Sequence, residues 1–291
     1  MPAPAVAPTG SNALQSGRTV ERPCLRLDMQ QQMSIAPGNS SPSNTCISVR
    51  DVSRWFGSGH VLDGLELELE LHGRLGIVGA SGGGKSTLLS LICGLDQPDA
   101  GEVSVQGHTE PSERLARCAL MPQRDLLLPW RLAIDNAGLA LENKGLSRSE
   151  ARERVAPMFE RFGLAGADRL RPGELSGGMR QRVAFLRTLL AEKEVLLLDE
   201  PFGALDSITR AGMQSWLSGA LDAEPRTVVL VTHDVEEALL LCGEVVVLSA
   251  RPGRIVDRIP VSVAKQGTRR EVVAEPEFLA LRERAMEALE T

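Results

Sequence analysis

The chain has 291 residues, 43% of them apolar and 24% charged, with a net charge of −6. That is enough apolar material for one large core or two small ones, and the acidic balance excludes a global positive field of the kind that gathers nucleic acid. The longest apolar runs, such as residues 195–198, are far too short to cross a bilayer, so work at a membrane would need a partner to supply the membrane part.

Residues 1–45 are rich in Pro, Ala, Ser, Gln and Asn and lack periodic apolar content, which predicts a disordered N-terminal extension. No apolar stretch follows a basic start, so a signal peptide is not expected, and Met29 and Met33 are alternative starts. The folded part is expected from Cys46 onward. The five cysteines, Cys24, Cys46, Cys93, Cys118 and Cys242, are scattered and contain no Cys-x-x-Cys pair. They read as reduced thiols rather than as disulfides or a zinc site. Tyrosine is absent, which restricts aromatic stacking to Phe and Trp.

Residues 65–71, LELELEL, alternate perfectly and predict a strand with one wet face. A short buried strand over 74–79 runs into a glycine loop, and a helix follows from Lys85. Further strands are expected over 101–107 and over 117–123, the second ending in Gln123. From Arg131 to Gly163 the pattern is helical. Ser147 and Glu150 form a Ser-x-x-Glu capping box, and Pro157 is expected to kink or divide the helix behind it. A helix follows Ser176, then an apolar strand ending in Asp199 and Glu200, then a helix around 213–217. Next come a strand ending in His233, a helix over 235–241, a strand over 244–250 and an amphipathic helix over 275–289. Strands alternating with helices predict an α/β fold with a largely parallel sheet covered on both faces, into which 124–180 is inserted as a helical segment.

The stretch Gly79, Ala80, Ser81, Gly82, Gly83, Gly84, Lys85, Ser86, Thr87 fits G-x-x-x-x-G-K-[ST]. Its glycines let backbone N–H groups converge on phosphate oxygens, Lys85 adds a point charge, and the Ser86 hydroxyl can ligate Mg²⁺. A glycine-rich turn is the plain alternative, but the match lies between a predicted strand and a predicted helix, where the mechanism needs it. Asp199 at the end of a buried strand can organise Mg²⁺, and Glu200 beside it can act as general base. Gln123 and His233 also stand at strand ends, where ligand groups collect in doubly wound sheets. A second turn, Ser176-Gly177-Gly178, opens a helix and can also hold a phosphate; within one chain it looks redundant.

Together these residues resemble the ATP-binding subunits of ABC transporters over about residues 46–265. GASGGGKST is similar to the Walker A loop, VLLLDEP to the Walker B strand, LSGGMRQR to the signature, and GALD (203–206) to the D-loop. The resemblance implies a P-loop NTPase cassette with a RecA-like parallel-sheet core, an antiparallel β subdomain and an inserted helical subdomain, followed by a helical tail over 266–291. It implies that ATP binds the Walker A loop, that Ser86, Gln123 and Asp199 serve Mg²⁺, that Glu200 activates water and that His233 senses the γ-phosphate. Adenine would stack on an aromatic upstream of the loop, and Phe56 fits that place better than Trp55. Ser176, Gly177 and Gly178 would complete the site of the other copy in a homodimer.

The resemblance further implies two transmembrane permease subunits, a solute-binding protein acting indirectly, and a peripheral place on the cytoplasmic face of the bacterial inner membrane. Leu126, Leu127, Leu128 and Trp130 are candidate permease contacts, with core packing the alternative for the leucines. The 58 residues after His233 leave no room for the regulatory domain of sugar-importer ATPases. RDLLLPWRLAIDNAGL, DEPFGALDSITR and LSARPGRIVDRIPV are similar to the nitrate, sulfonate and taurine importer group. SGGGKST leans towards aliphatic sulfonates, while MPQRDLLLPW also fits importers of pyrimidine vitamin precursors. A soluble ABC ATPase acting on DNA or ribosomes would carry a coiled-coil insert, zinc cysteines or a second cassette, and none is visible. A non-hydrolysing clamp is disfavoured by the presence of Glu200 and His233.

Overall fold

The computed structural model describes residues 44–57, 59–263 and 269–290. The N-terminal extension, with Cys24, Met29 and Met33, lies outside the described residues apart from Asn44 and Thr45. Strand β1 (Thr45–Phe56) pairs antiparallel with β2 (Gly59–Glu70) on one side and β4 (Ala100–Val105) on the other. The alternation in β2 sets its faces: Leu65, Leu67 and Leu69 are buried, and Glu66, Glu68 and Glu70 are exposed.

The second sheet contains β3 (Arg74–Gly79), β5 (Cys118–Met121), β6 (Val195–Asp199), β7 (Thr227–Val231), β8 (Glu244–Leu248) and β9 (Ile255–Pro260). Its spatial order is β5-β6-β7-β3-β8-β9, parallel throughout except between β8 and β9. The uniformly apolar strands follow from burial on both faces. In β6, Leu196 and Leu198 enter one core, while Val195 and Leu197 enter the core shared with the antiparallel sheet. In β7, Val228 and Leu230 divide from Val229 and Val231 in the same way.

Helix α1 (Lys85–Cys93) leaves the end of β3, and α2 (Pro111–Arg117) leads into β5. The inserted segment holds α3 (Ala133–Ala137), α4 (Leu139–Asn143), α5 (Arg148–Arg161) and the start of α6 (Gly177–Leu189). The capping box forms: Ser147 Oγ accepts from the Glu150 N–H at 3.3 Å, and the Glu150 carboxylate accepts from the Ser147 N–H at 2.8 Å. Pro157 does not divide α5, which runs unbroken to Arg161. Its ring sits on the exposed face, while Ala151, Val155 and Phe159 keep a buried stripe on the other, so packing carries the helix past the missing hydrogen bond.

Helix α7 (Ser207–Ala223) follows the turn after β6, and α8 (Val235–Leu241) follows the turn after β7. The chain ends in α9 (Arg269–Val273) and α10 (Pro276–Leu289). Phe278 and Ala285 of α10 bury against Val235 and Ala238 of α8 and Val245 and Val247 of β8. Cys46, Cys93, Cys118 and Cys242 are buried and in no disulfide, and burial pushes the Cys118 thiol up to about 12. No helix among the described residues is long and apolar enough to cross a membrane.

Candidate nucleotide site

The glycine loop begins where β3 ends, between neighbours β7 and β8. Gly84, the residue before α1, has φ +84°, and a Cβ there would meet the Leu62 side chain and lie 3.1 Å from the Val61 carbonyl. Only glycine fits that turn comfortably. It lets α1 open with its unpaired N–H groups at the loop, a natural anion site. Lys85 is nearly buried, and its ammonium donates to the carbonyls of Gly79 at 2.8 Å and Ala80 at 2.9 Å, curling the loop around it. The Gly83 N–H closes the turn onto Ala80 O at 3.1 Å. Burial lowers the Lys85 pKa, and the Glu200 and Asp199 carboxylates pull it back.

Asp199 ends β6 and is buried. Burial raises its pKa, and the Glu200 charge adds to that; a hydrogen bond with Ser86 and the charge of Lys85 oppose it. Glu200 takes a left-handed backbone, φ +48°, uncommon for a residue with a side chain. The conformation is held at both ends. The Glu200 N–H donates to Val231 O at 2.8 Å, and the Gln181 side chain donates to Glu200 O at 2.9 Å. The Glu200 carboxylate accepts from Gln123 Nε2 at 3.2 Å and lies 3.4 Å from His233 Nδ1. Glu200 is thus the meeting point of three strand-end groups.

A cleft of about 400 Å³ is lined by Phe56 and Val61 of the antiparallel sheet, by Ser81, Gly82, Gly84, Lys85, Ser86 and Thr87, and by Gln123, Asp199 and Glu200. Arg251, from the turn between β8 and β9, completes the lining. Phe56 is half exposed, and one face of its ring is covered by the Arg54 guanidinium, 4.7 Å from the ring centroid. Trp55 instead stacks on His60 at 4.7 Å and does not line the cleft.

Ser176, Gly177 and Gly178 do not line this cleft. Ser176 caps α6, accepting from the Met179 N–H at 3.2 Å, and it and Gly177 are exposed. The segment after Gln123 is fastened to α6. Arg180 pairs with Asp125 at 3.0 Å, and Arg187 donates to Asp125 O at 2.7 Å and Leu126 O at 2.9 Å. Leu127 is buried in the core, whereas Leu126 is 60% and Trp130 70% exposed, so within this segment two apolar side chains face outward. Two site residues were not singled out in the sequence: Gln181, within the LSGGMRQR stretch, and Arg251, one of two arginines in the turn between β8 and β9.

The ABC transporter family matches residues 62–203. A taurine import ATP-binding protein of Rhizobium johnstonii is 41% identical over 243 residues, covering 81% of this chain and 91% of the relative. The chain belongs to the ATP-binding subunits of ABC transporters. An aliphatic sulfonates import ATP-binding protein of Rhodococcus jostii is 47% identical, covering 66% of this chain and 77% of its own length. A formylaminopyrimidine import ATP-binding protein of Halalkalibacterium halodurans is 43% identical, covering 68% and 77%. Among solved structures, a dimeric bacterial ABC transporter cassette superposes with a TM-score of 0.68 at 28% identity, covering 74% of this chain and 98% of the cassette. The α/β cassette fold expected from the sequence is the one observed, and the chain is an ATP-binding ATPase of an importer.

Proposed function

We propose that this ATPase drives uptake of a small organic anion, aliphatic sulfonates first, with taurine, nitrate or a pyrimidine vitamin precursor as the alternatives. Relatives named for three of these cargoes match the chain comparably, and SGGGKST is the residue pattern that favours sulfonates. The observation that carries the mechanism is the convergence of Lys85, Ser86, Gln123, Asp199 and Glu200 on one cleft. The N–H groups of residues 79–87 and the Lys85 ammonium bind the phosphates, and Phe56 stacks on adenine. Ser86, Gln123 and Asp199 line the same cleft and offer hard oxygen donors that suit Mg²⁺. The metal would neutralise charge on the terminal phosphates.

Glu200 takes the proton of the attacking water, oriented by Gln123 and His233, which both reach its carboxylate. Two copies face each other so that Ser176, Gly177 and Gly178 of one complete the cleft of the other at the γ-phosphate. Paired permease subunits receive the exposed Leu126 and Trp130, which places the protein on the inner face of the bacterial membrane beneath a transporter fed by a solute-binding protein. The test of the catalytic assignment is Glu200→Gln. Loss of a positioned general base should slow phosphate release by about 10²–10⁴-fold, while ATP binding persists and an ATP-bound dimer accumulates in size-exclusion chromatography. A variant that stays monomeric with ATP and hydrolyses at the wild-type rate overturns the assignment.

A further inference from the structure

The turn between β8 and β9 carries Arg251 and Arg254, β9 itself carries Arg258, and the three are used differently. Arg254 pairs with Asp63, and Arg258 lies 4.0 Å from Glu244. Arg251 has no acidic partner among the described residues, yet it alone of the three lines the nucleotide cleft. Its Nε donates to His60 O at 3.0 Å, across 191 residues of sequence. The two terminal nitrogens have no acceptor among the described residues. The turn beneath it is firmly built. Ser249 Oγ donates to Pro252 O at 2.9 Å and accepts from the Arg254 N–H at 3.0 Å. The Gly253 N–H donates to Val61 O at 2.8 Å, and Gly253 packs against the Gly83 carbonyl of the glycine loop. The guanidinium is therefore presented from a turn that is tied both to the phosphate loop and to β2.

A guanidinium without a carboxylate, set in a cleft that already holds one lysine, is suited to a phosphate. Its anchor says which one. His60, near the start of β2, lies across the tight β1–β2 turn from Phe56, the last residue of β1, whereas Asp199 and Glu200 stand with Lys85 and Gln123. Had Arg251 stood at the carboxylate end, an ion pair with one of them would be expected, and neither has one with it. We propose that Arg251 binds ATP at the adenosine end of its phosphate chain, donating from the guanidinium to the α-phosphate. This rests on the reading of the cleft as the ATP site. Arg251 thus extends that site beyond the glycine loop and gives it a second cation from a separate element.

The test is calorimetric titration of the full chain, wild type, Arg251→Ala and Arg251→Lys, with ATP and with the two diastereomers of ATP bearing sulfur on the α-phosphate. Losing one charge-assisted contact should weaken ATP binding by about tenfold, with the lysine variant in between because it keeps the charge but not the fork. The wild type should prefer one diastereomer, and Arg251→Ala should lose that preference. The proposal is overturned by unchanged ATP affinity in Arg251→Ala, by a wild type blind to the diastereomers, or by weakened binding with the preference intact. The last result would mean that Arg251 acts only through the His60 backbone. Lys85→Ala separates the two readings. Wild-type ATP affinity in that variant refutes the cleft as the ATP site, whereas lost binding there beside unchanged binding in Arg251→Ala refutes Arg251 alone.

Discussion

Phe56 and Trp55 are neighbours in β1 with different partners. Trp55 spends its ring on His60, while Phe56 has Arg54 on one face and the cleft beside it. Arg54 is itself fixed by Asp96 at 2.8 Å and Asp99 at 2.9 Å, so the phenyl ring rests on a braced cation. A purine stacking on the ring is worth about 1–3 kcal/mol. Phe56→Ala should therefore weaken ATP binding by about tenfold while leaving inorganic tripolyphosphate, which has no base, nearly unaffected. Trp55→Ala should leave both affinities close to wild type. Equal losses for ATP and tripolyphosphate in Phe56→Ala would show that the ring merely supports the cleft. The choice between the two aromatics was legible in sequence only as position before a glycine; the covered face of Phe56 needed Arg54 braced by Asp96 and Asp99, 42 and 45 residues from that arginine.

At the scale of elements, α8 carries the next consequence, because it begins beside the histidine that reaches Glu200. Glu237 in its first turn is buried, caps nothing to solvent and accepts from the Gln214 amide of α7 at 3.1 Å. Burial lifts its carboxyl from 4.5 to about 7, with Asp234 adding to the rise and Thr232, Gln214 and Arg210 opposing it. A raised carboxyl pKa means that the folded chain holds a proton the unfolded chain has released. Stability should then fall as pH rises from about 4.5 to about 7 and level off above, by about 3 kcal/mol in all. Glu237→Gln keeps the acceptor and removes the proton, so urea denaturation at pH 5.5 and pH 8 should show a smaller difference than in wild type. An unchanged difference would place the titration elsewhere.

Elements of this kind were unevenly readable. β6, β7 and β8 stand out as short apolar runs because both faces of the sheet are covered. β9 and α2 left no signal. β9 is an edge strand with Val256 and Arg258 exposed, and α2 is a single short segment whose one buried residue is Arg114. The Arg251 turn follows β8 and so was invisible as a site, since what makes it one is contact with Gly83 and His60 far along the chain.

At the scale of the whole molecule, the unsolved object is the second phosphate turn. Ser176 and Gly177 are exposed and stand apart from the cleft of their own chain, though α6 behind them touches Glu200 through Gln181. On the proposed reading, a second copy brings the phosphate to this solvent-facing turn. Two-fold symmetry would then build two identical composite sites, each with the glycine loop of one chain and the signature turn of the other. Lys85→Ala disables the first half and Ser176→Arg the second, so each homodimer should be inactive. Mixed dimers are different. The intact glycine loop of the Ser176→Arg chain meets the intact signature turn of the Lys85→Ala chain, and one good site forms. An equal mixture gives mixed dimers in about half of the population, each with one site of two, so phosphate release should recover to about a quarter of wild type. Were each chain to complete its own site, mixing two dead variants would restore nothing, and a flat mixing curve would refute the shared site.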